Sequence, residues 1–223
     1  MKTYLRTVLA VFAIAFAITG AMAQTKISEG KIVFTITMAD NDMDPQMASM
    51  MPKEMTMSFK GDKSKSDMAM GMGNMSTIYD SKTKLLIQLM DMMGQKNAIK
   101  MTEADVEKQA GKQKKTSIKY LDDTKVICGY TCHKAEVSVE GEKDKQIVYY
   151  TKDIVSKNAN AIRGGLKDLE GFPLEYEMNM KGMSMKMTAK SISMDKIDEN
   201  IFKIPEGYKE MTMEQAMQMG GGH

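Results

Sequence analysis

Apolar and polar residues alternate along much of this chain, and the alternation predicts β-strands. Ile32, Phe34 and Ile36 are apolar and Thr35 and Thr37 lie between them, which is the pattern of a strand with one buried face. Short polar turns separate the successive runs, so neighbouring strands should pair in an antiparallel way. The runs predict about ten strands in a mainly β (α+β) domain. They lie near 32–37, 55–59, 68–72, 78–79, 85–90, 117–121, 125–128, 132–139, 146–150, 173–180 and 183–189.

Helix signals interrupt the strand pattern at four places. Asp44-Pro45 predicts a short helix that Pro52 ends, because Asp is a common N-cap and Pro suits the first helical position. Thr102 starts a second helix in a sequence that resembles a capping box. Apolar residues spaced along one helical face predict a third helix over 155–169. Thr212 and Gln215 form a capping box that starts the last.

The N-terminus has the pattern of a secretory signal peptide. Lys2 and Arg6 precede the apolar run 8–18, and Ala21 and Ala23 form a small-x-small cleavage site. The run is too short for a membrane-spanning helix. We therefore expect cleavage after Ala23 and export to the periplasm or beyond. The predicted organisation is a signal peptide at 1–23, one β domain at 24–210 and a Met-rich tail with a short helix at 211–223.

Charge and composition narrow the function classes. The 223 residues carry 31 basic and 29 acidic side chains, so no strong basic field for nucleic acid is present. Methionine is the unusual component, with 27 residues against no Trp. The sequence also has only two His and no catalytic nucleophile or phosphate-loop motif. We therefore expect a non-catalytic protein.

Methionines recur at every second position in four predicted strands, so each set projects from one face. The residues between them are mostly small or polar. Three interpretations fit: an ordinary core built with Met, an adaptable apolar lining for a ligand, or thioether ligands for Cu(I) or Ag(I). For the second interpretation, the candidate lining residues are Met55, Met57, Met68, Met70, Met178, Met180, Met185 and Met187.

The two cysteines flank a predicted tight turn at Gly129-Tyr130. Export favours a disulfide between Cys128 and Cys132, because secreted proteins meet an oxidising environment. Cys-x3-Cys followed by His133 is one residue longer than the haem c attachment motif, so no cofactor is expected.

Three short motifs resemble known families. The segment from Gly129-Tyr130 to Cys132, Lys134 and Ala135 resembles a turn in secreted bacterial proteins of unknown function that are common among Bacteroidetes. Gly171-Phe172-Pro173-Leu174 resembles their second landmark. The Phe202–Tyr208 ending resembles that of LolA-like lipoprotein carriers and outer-membrane lipoprotein-sorting proteins. The resemblance spans most of residues 27–210.

This resemblance implies a strongly curved antiparallel sheet, an unclosed half-barrel with short helices in its concave mouth. In the carriers that concavity holds acyl chains. The leading hypothesis is therefore an exported protein that binds a lipid or another apolar ligand, with no membrane span after cleavage and no nucleic-acid partner. The alternatives are an envelope protein that binds or buffers Cu(I) or Ag(I), for which the tail offers Met213, Met217 and His223, and a structural or interaction domain with a closed Met core.

Overall fold

The computed structural model describes residues 28–38, 44–110, 115–141, 145–154, 166, 168–180 and 183–220. Within them, twelve strands form a single unclosed sheet in the order β12-β6-β5-β4-β3-β2-β1-β11-β10-β9-β8-β7. All pairs are antiparallel except β12 with β6. The strands are β1 Glu29–Met38, β2 Glu54–Lys60, β3 Lys63–Met70, β4 Gly73–Asp80, β5 Leu85–Met92, β6 Gln95–Met101, β7 Thr116–Ile127, β8 Tyr130–Val139, β9 Gln146–Thr151, β10 Phe172–Met180, β11 Met183–Ser193 and β12 Lys209–Thr212.

Short helices join some of these strands. They are α1 Pro45–Met50, α2 Glu103–Ala110, α3 Met213–Gly220 and a 3-10 helix at Glu199–Phe202. The Asp44 carboxylate accepts a hydrogen bond from the Gln46 amide, which confirms the predicted cap of α1. The Thr212 and Gln215 side chains accept hydrogen bonds from each other's backbone amides, which confirms the capping box of α3.

Several sequence predictions differ from the structure. The predicted strands 117–121 and 125–128 are one strand, β7, and the predicted strand 68–72 ends at Met70. The helix predicted over 155–169 does not reach its expected end, because Leu166 and residues 168–170 are not helical. Strand β12 continues through Thr212, past the domain boundary predicted at residue 210. The predicted signal peptide, residues 155–165, the predicted turn at Lys181-Gly182, and His223 lie outside the described residues.

The register places two hydrophobic clusters on opposite faces of the sheet. We call the faces after a buried residue on each, the Phe34 face and the Leu89 face. The larger cluster packs Phe34 with the inward residues of β1, β2 and β8–β11. The smaller cluster packs Leu89 with Ile78, Ala98 and Phe202.

The Phe202–Tyr208 segment explains why the smaller cluster lies on the Leu89 face. Phe202 is buried there, and Ile204 and Tyr208 pack against the same cluster. The Lys60 ammonium donates to the Ile197 carbonyl oxygen over 2.9 Å, which fixes the start of this crossing. The segment then enters the sheet edge as β12, so the motif that closes the domain covers one face of β4–β6.

The β7–β8 hairpin turns at Cys128-Gly129, where φ is 51° and 83°. Both values are positive, as a two-residue type I′ turn requires. The structure holds both cysteines as free thiols, with Cys128 exposed and Cys132 buried. Burial raises the pKa of the Cys132 thiol to about 11, and the neighbouring groups offset only part of this rise.

The Cys128–Cys132 disulfide stays a prediction, and it concerns the mature protein from its native compartment. We expect intact mass to show two hydrogens fewer than the reduced form and no alkylation without reductant. If the thiols are instead free, alkylation should modify exposed Cys128 well before Cys132, because a buried thiol with a raised pKa is a poor nucleophile. Alkylation of both cysteines without reductant would contradict the disulfide.

Close packing of the backbone makes Gly73 a second test. A Cβ at this residue would lie 2.0 Å from the Asp91 carbonyl oxygen, whereas a Cβ at Gly94 would meet nothing within 4 Å, although its φ of 83° is also positive. Gly94→Ala should lower the free energy of unfolding by about 1 kcal/mol for conformation alone. Gly73→Ala should lower it by about 2–4 kcal/mol, because the β4–β5 pair must separate. Equal losses in chemical denaturation would contradict the β4–β5 register.

Candidate functional site

The Phe34 face of β1–β6 carries no Asp, Glu, Lys or Arg. The register aligns its residues across six neighbouring strands, for example Phe34 with Met55, Met55 with Met68, Met68 with Met75, and Met75 with Met90. The charged residues of these strands occupy the opposite positions, on the Leu89 face or at strand ends. The uncharged residues on the Phe34 face of β3–β6 are Ser64, Ser66, Met68, Met70, Gly73, Met75, Thr77, Tyr79, Leu86, Gln88, Met90, Met92, Gln95, Asn97, Ile99 and Met101.

The charge-free face has a closed part and a partly open part. Under β1, β2 and β11, Met55, Met57, Met185 and Met187 are almost fully buried in the larger cluster. Across β3–β5 the methionines on the same face are only half-buried. We call the half-buried set the methionine face; it consists of Met68, Met70, Met75, Met90 and Met92.

The closed and partly open parts of the Phe34 face differ because other segments of the chain cover only some of its strands. The smaller cluster lies on the Leu89 face of β4–β6, so the Phe202–Tyr208 segment cannot also cover the Phe34 face there. On the methionine face the Gln88 side-chain amide donates to the Met75 sulfur over 3.4 Å. A polar group therefore lies among the thioethers without adding charge.

Exposed methionines extend this apolar surface to one end of the sheet. Met72 lies in the β3–β4 turn and Met93 in the β5–β6 turn, and the Met93 amide donates to the Met72 carbonyl oxygen over 3.2 Å. The Gly71 amide donates to the carbonyl oxygen of Met50, at the end of α1. Met50, Met72 and Met93 are exposed, and Met93 is 85% exposed. Side chains at the end of β3–β5 thus continue the methionine face into solvent.

The sequence-predicted lining residues share the Phe34 face but have different surroundings. Met55, Met57, Met185 and Met187 lie in the closed part, and Met68 and Met70 lie in the partly open part. The register pairs Met178 with Met185 and Met180 with Met183, which assigns their backbone positions to the same face. The side chains of Met178 and Met180 lie outside the described part of the chain.

Sequence reasoning missed Met75, Met90, Met92, Thr77 and Gln88. Met75 has no alternating Met partner in β4, and the Leu-Leu-Ile-Gln-Leu-Met run of β5 is apolar on both faces. The face of such a run cannot be assigned by period alone. The pairing of β3 with β4 and β5 would have found them, since each inward Met of β3 selects its partners.

The opposite side of β10 satisfies a buried charge. Glu175 is 7% exposed, and one carboxylate oxygen lies 2.7 Å from the Lys125 ammonium and 3.0 Å from that of Lys186. Thr188 donates to the other oxygen over 3.3 Å. Burial raises the pKa of this carboxyl, but hydrogen bonds and ion pairs with the two lysines lower it by more, so its pKa lies below the usual range. Lys125 also lies 3.9 Å from the centre of the Tyr149 ring.

The next residue on the Phe34 side, Tyr176, contrasts with Glu175. Its ring packs edge to face against Phe34 with the centroids 5.9 Å apart. Its hydroxyl is buried without a hydrogen-bond partner among the described residues. Burial raises the pKa of the phenol well above its usual range, so the group stays neutral and keeps its proton.

Within the described ranges, three or more His, Cys, Asp or Glu side chains do not converge where a metal ion could bind. In the same ranges none of the helices has the length and apolarity needed to cross a bilayer.

Solved structures share the fold. A structure of PNGF-II in the P21 space group has a TM-score of 0.51 at 15% identity and covers 86% of this chain and 33% of its own. A structure of PNGF-II in the C2 space group has a TM-score of 0.50 at 14% identity, with 87% and 33% covered. This chain therefore spans about one third of the length of those chains. The beta-barrel-like protein of domain of unknown function DUF1849 from Brucella abortus has a TM-score of 0.33 at 7% identity, with 75% of this chain and 98% of its own covered.

Sequence comparison assigns the family. None of the curated proteins matches this chain. The model of a domain of unknown function, DUF4412, matches residues 35–208, which contain β2–β11 complete, the last four residues of β1, and the segment that covers the Leu89 face. The chain belongs to the DUF4412 family.

Proposed function

We propose that this chain is an exported, non-catalytic protein of the cell envelope that binds a lipid or another apolar ligand along its Phe34 face. The observation that carries the proposal is the charge-free Phe34 face of β1–β6, whose methionines are half-buried over β3–β5. Each CH2 group that an aliphatic ligand buries there contributes about 0.8 kcal/mol. A phosphate-rich or nucleic-acid ligand would find no cation on this face.

Methionine suits a lining that must adapt to its ligand. Its side chain is unbranched and has three rotatable bonds, so it can repack around chains of different shape. The half-buried methionines of β3–β5 retain this freedom, whereas those of the closed core can move only if their packed neighbours move with them. We therefore assign entry of the ligand to the methionine face and its exposed end at Met72 and Met93.

The finer architecture and the compartment belong to the same proposal. The sheet would be a half-barrel like that of the LolA-like carriers, with the methionine face inside the concavity and short helices near its mouth. Residues 1–23 would be removed on export, which supports a role at the envelope. The unclosed sheet and the motif ending at Tyr208 support this reading.

A second candidate function is binding of Cu(I) or Ag(I) by the tail. The confirmed capping box starts α3 at Met213, so Met213 and Met217 share one helical face at a spacing of four residues. Met217 is 56% exposed and available to a soft cation. His223 would complete a site with two sulfurs and one imidazole.

Apolar ligand binding predicts a face-specific effect of charge on β3. Met70→Glu places a carboxylate on the methionine face and should reduce the affinity of delipidated protein for a fluorescent long-chain fatty acid by at least tenfold, because burying a charge without a partner is costly. Ala69→Glu on the exposed, opposite side of the same strand is the matched control and should leave the affinity within about twofold. Equal affinities for the two variants would contradict the site, and native mass spectrometry of envelope material should show an adduct of lipid mass.

The tail hypothesis predicts loss of metal affinity without loss of structure. Met213→Leu with Met217→Leu keeps the apolar packing and helix propensity of α3 but removes both sulfurs. If the tail binds Cu(I), competition against a chelator should show affinity that falls by at least tenfold in this variant. Truncation at residue 210 is a poorer test, because it removes buried Met211 from β12. Unchanged affinity in the double variant would exclude the tail as the site.

A further inference from the structure

Tyr176 is the one buried side chain of the described residues whose polar atom has no hydrogen-bond partner. It is 2% exposed and lies in the larger cluster on the Phe34 face. In the register it pairs with Met187, which pairs in turn with Ile36. The hydroxyl is thus surrounded by apolar side chains, an environment in which an unmade hydrogen bond is costly.

Neighbouring buried polar groups do find partners, so the sheet does not leave polar atoms unpaired in general. The Glu175 carboxylate contacts two ammonium groups and a hydroxyl on the Leu89 face. The hydroxyl of Thr151, a fully buried residue at the end of β9, accepts a hydrogen bond from the Asp153 amide. Phenylalanine at position 176 would fill the same space without the cost of a buried hydroxyl. The hydroxyl is therefore best explained by a partner other than the side chains of the described residues.

We propose that the Tyr176 hydroxyl donates a hydrogen bond to the head of the bound apolar ligand, and that the ligand is an aliphatic chain ending in a neutral carbonyl group, as in a long-chain ester. This inference rests on the proposed function and names the ligand class and its polar anchor. The phenol keeps its proton in this environment and so acts as a donor. A carbonyl oxygen is the acceptor that satisfies one neutral donor.

The positions of the charged residues limit further which kind of head group the ligand can have. The ammonium groups of Lys125 and Lys186 hold Glu175 on the other face. A phosphate head would need cations or several donors, and the Phe34 face of β1–β6 carries no cation. A neutral carbonyl needs only the one hydrogen bond that Tyr176 can give.

The distance from Tyr176 to the methionine face fits a long acyl chain. Strand β10 is separated from β3 by β11, β1 and β2, so four strand spacings of about 4.8 Å give about 19 Å. Met187 and Met55 lie along this route in the closed core, so a chain can pass only where both side chains repack, which their unbranched thioethers permit. A ligand anchored at Tyr176 can therefore extend over the Phe34 face to Met68 and Met70.

The test separates the head group from the chain. Delipidated full-length protein is loaded with a fluorescent long-chain fatty acid, which is then displaced by an unlabelled long-chain methyl ester or by the hydrocarbon of equal length. Tyr176→Phe should weaken the methyl ester about threefold to tenfold, the value of one hydrogen bond, and leave the hydrocarbon unchanged. The melting temperature of ligand-free Tyr176→Phe should equal or exceed that of the wild type, because no internal hydrogen bond is lost.

Tyr149→Phe is the matched control, since Tyr149 pairs with Glu175 on the Leu89 face of the adjacent strand. This substitution should change the affinity for neither the methyl ester nor the hydrocarbon. Equal ester affinity in Tyr176→Phe and wild type would overturn the anchor but leave the proposed function intact. Equal losses for ester and hydrocarbon would also overturn it, because the hydroxyl would then act on the core and not on the head group. Failure of the wild type to bind any of the three probes would overturn the proposed function itself.

Discussion

A single sheet must protect two faces from water, and in this protein different strands bury different faces. The larger cluster closes the Phe34 face of β1, β2 and β8–β11, while the smaller cluster closes the Leu89 face of β4–β6. The chain that crosses from Ile197 to Tyr208 can lie on only one side of the sheet. Because it lies on the Leu89 face, the methionines opposite remain half-buried. The position of the candidate site is thus a consequence of how the second cluster is covered.

The segregation of charge follows from the same constraint. Lysines, aspartates and glutamates of β1–β6 occupy the Leu89 face or strand ends, where they pair with one another; Lys65, for example, lies 2.9 Å from Asp67. A charge on the Phe34 face would be buried at the closed strands and would disrupt apolar packing at the open ones. Selection of uncharged residues therefore extends beyond the closed core into β3–β5, where core packing alone does not require it. That excess is the feature that an apolar ligand explains.

The sequence predicted local features well, because those features depend on neighbouring residues. Alternation predicted β1 and β3, and the capping residues predicted where α1 and α3 begin. The sequence did not predict that β12 pairs in parallel with β6, because that contact joins residues more than a hundred positions apart. The sequence also could not predict which residues of β5 lie on which face of the sheet, since Leu86 and Leu89 are both apolar but lie on opposite faces. The register between β1 and β11 shifts between Val33 and Phe34, so the residues of β11 on the two sides of this shift do not keep one alternating pattern of faces. Alternation in the sequence alone gives no sign of this shift.

Two adjacent residues of β10 show how the sheet separates two kinds of polar chemistry. Glu175 projects to the Leu89 face, where lysines from β7 and β11 and a threonine from β11 satisfy its charge. Tyr176 projects to the Phe34 face, where no described side chain satisfies its hydroxyl. Because successive residues of a strand point to opposite faces, neither group can use the partners of the other. A strand that satisfies a full charge on one side could as readily satisfy a hydroxyl on the other if stability were the only demand, so the unpaired phenol points to a demand from outside the fold.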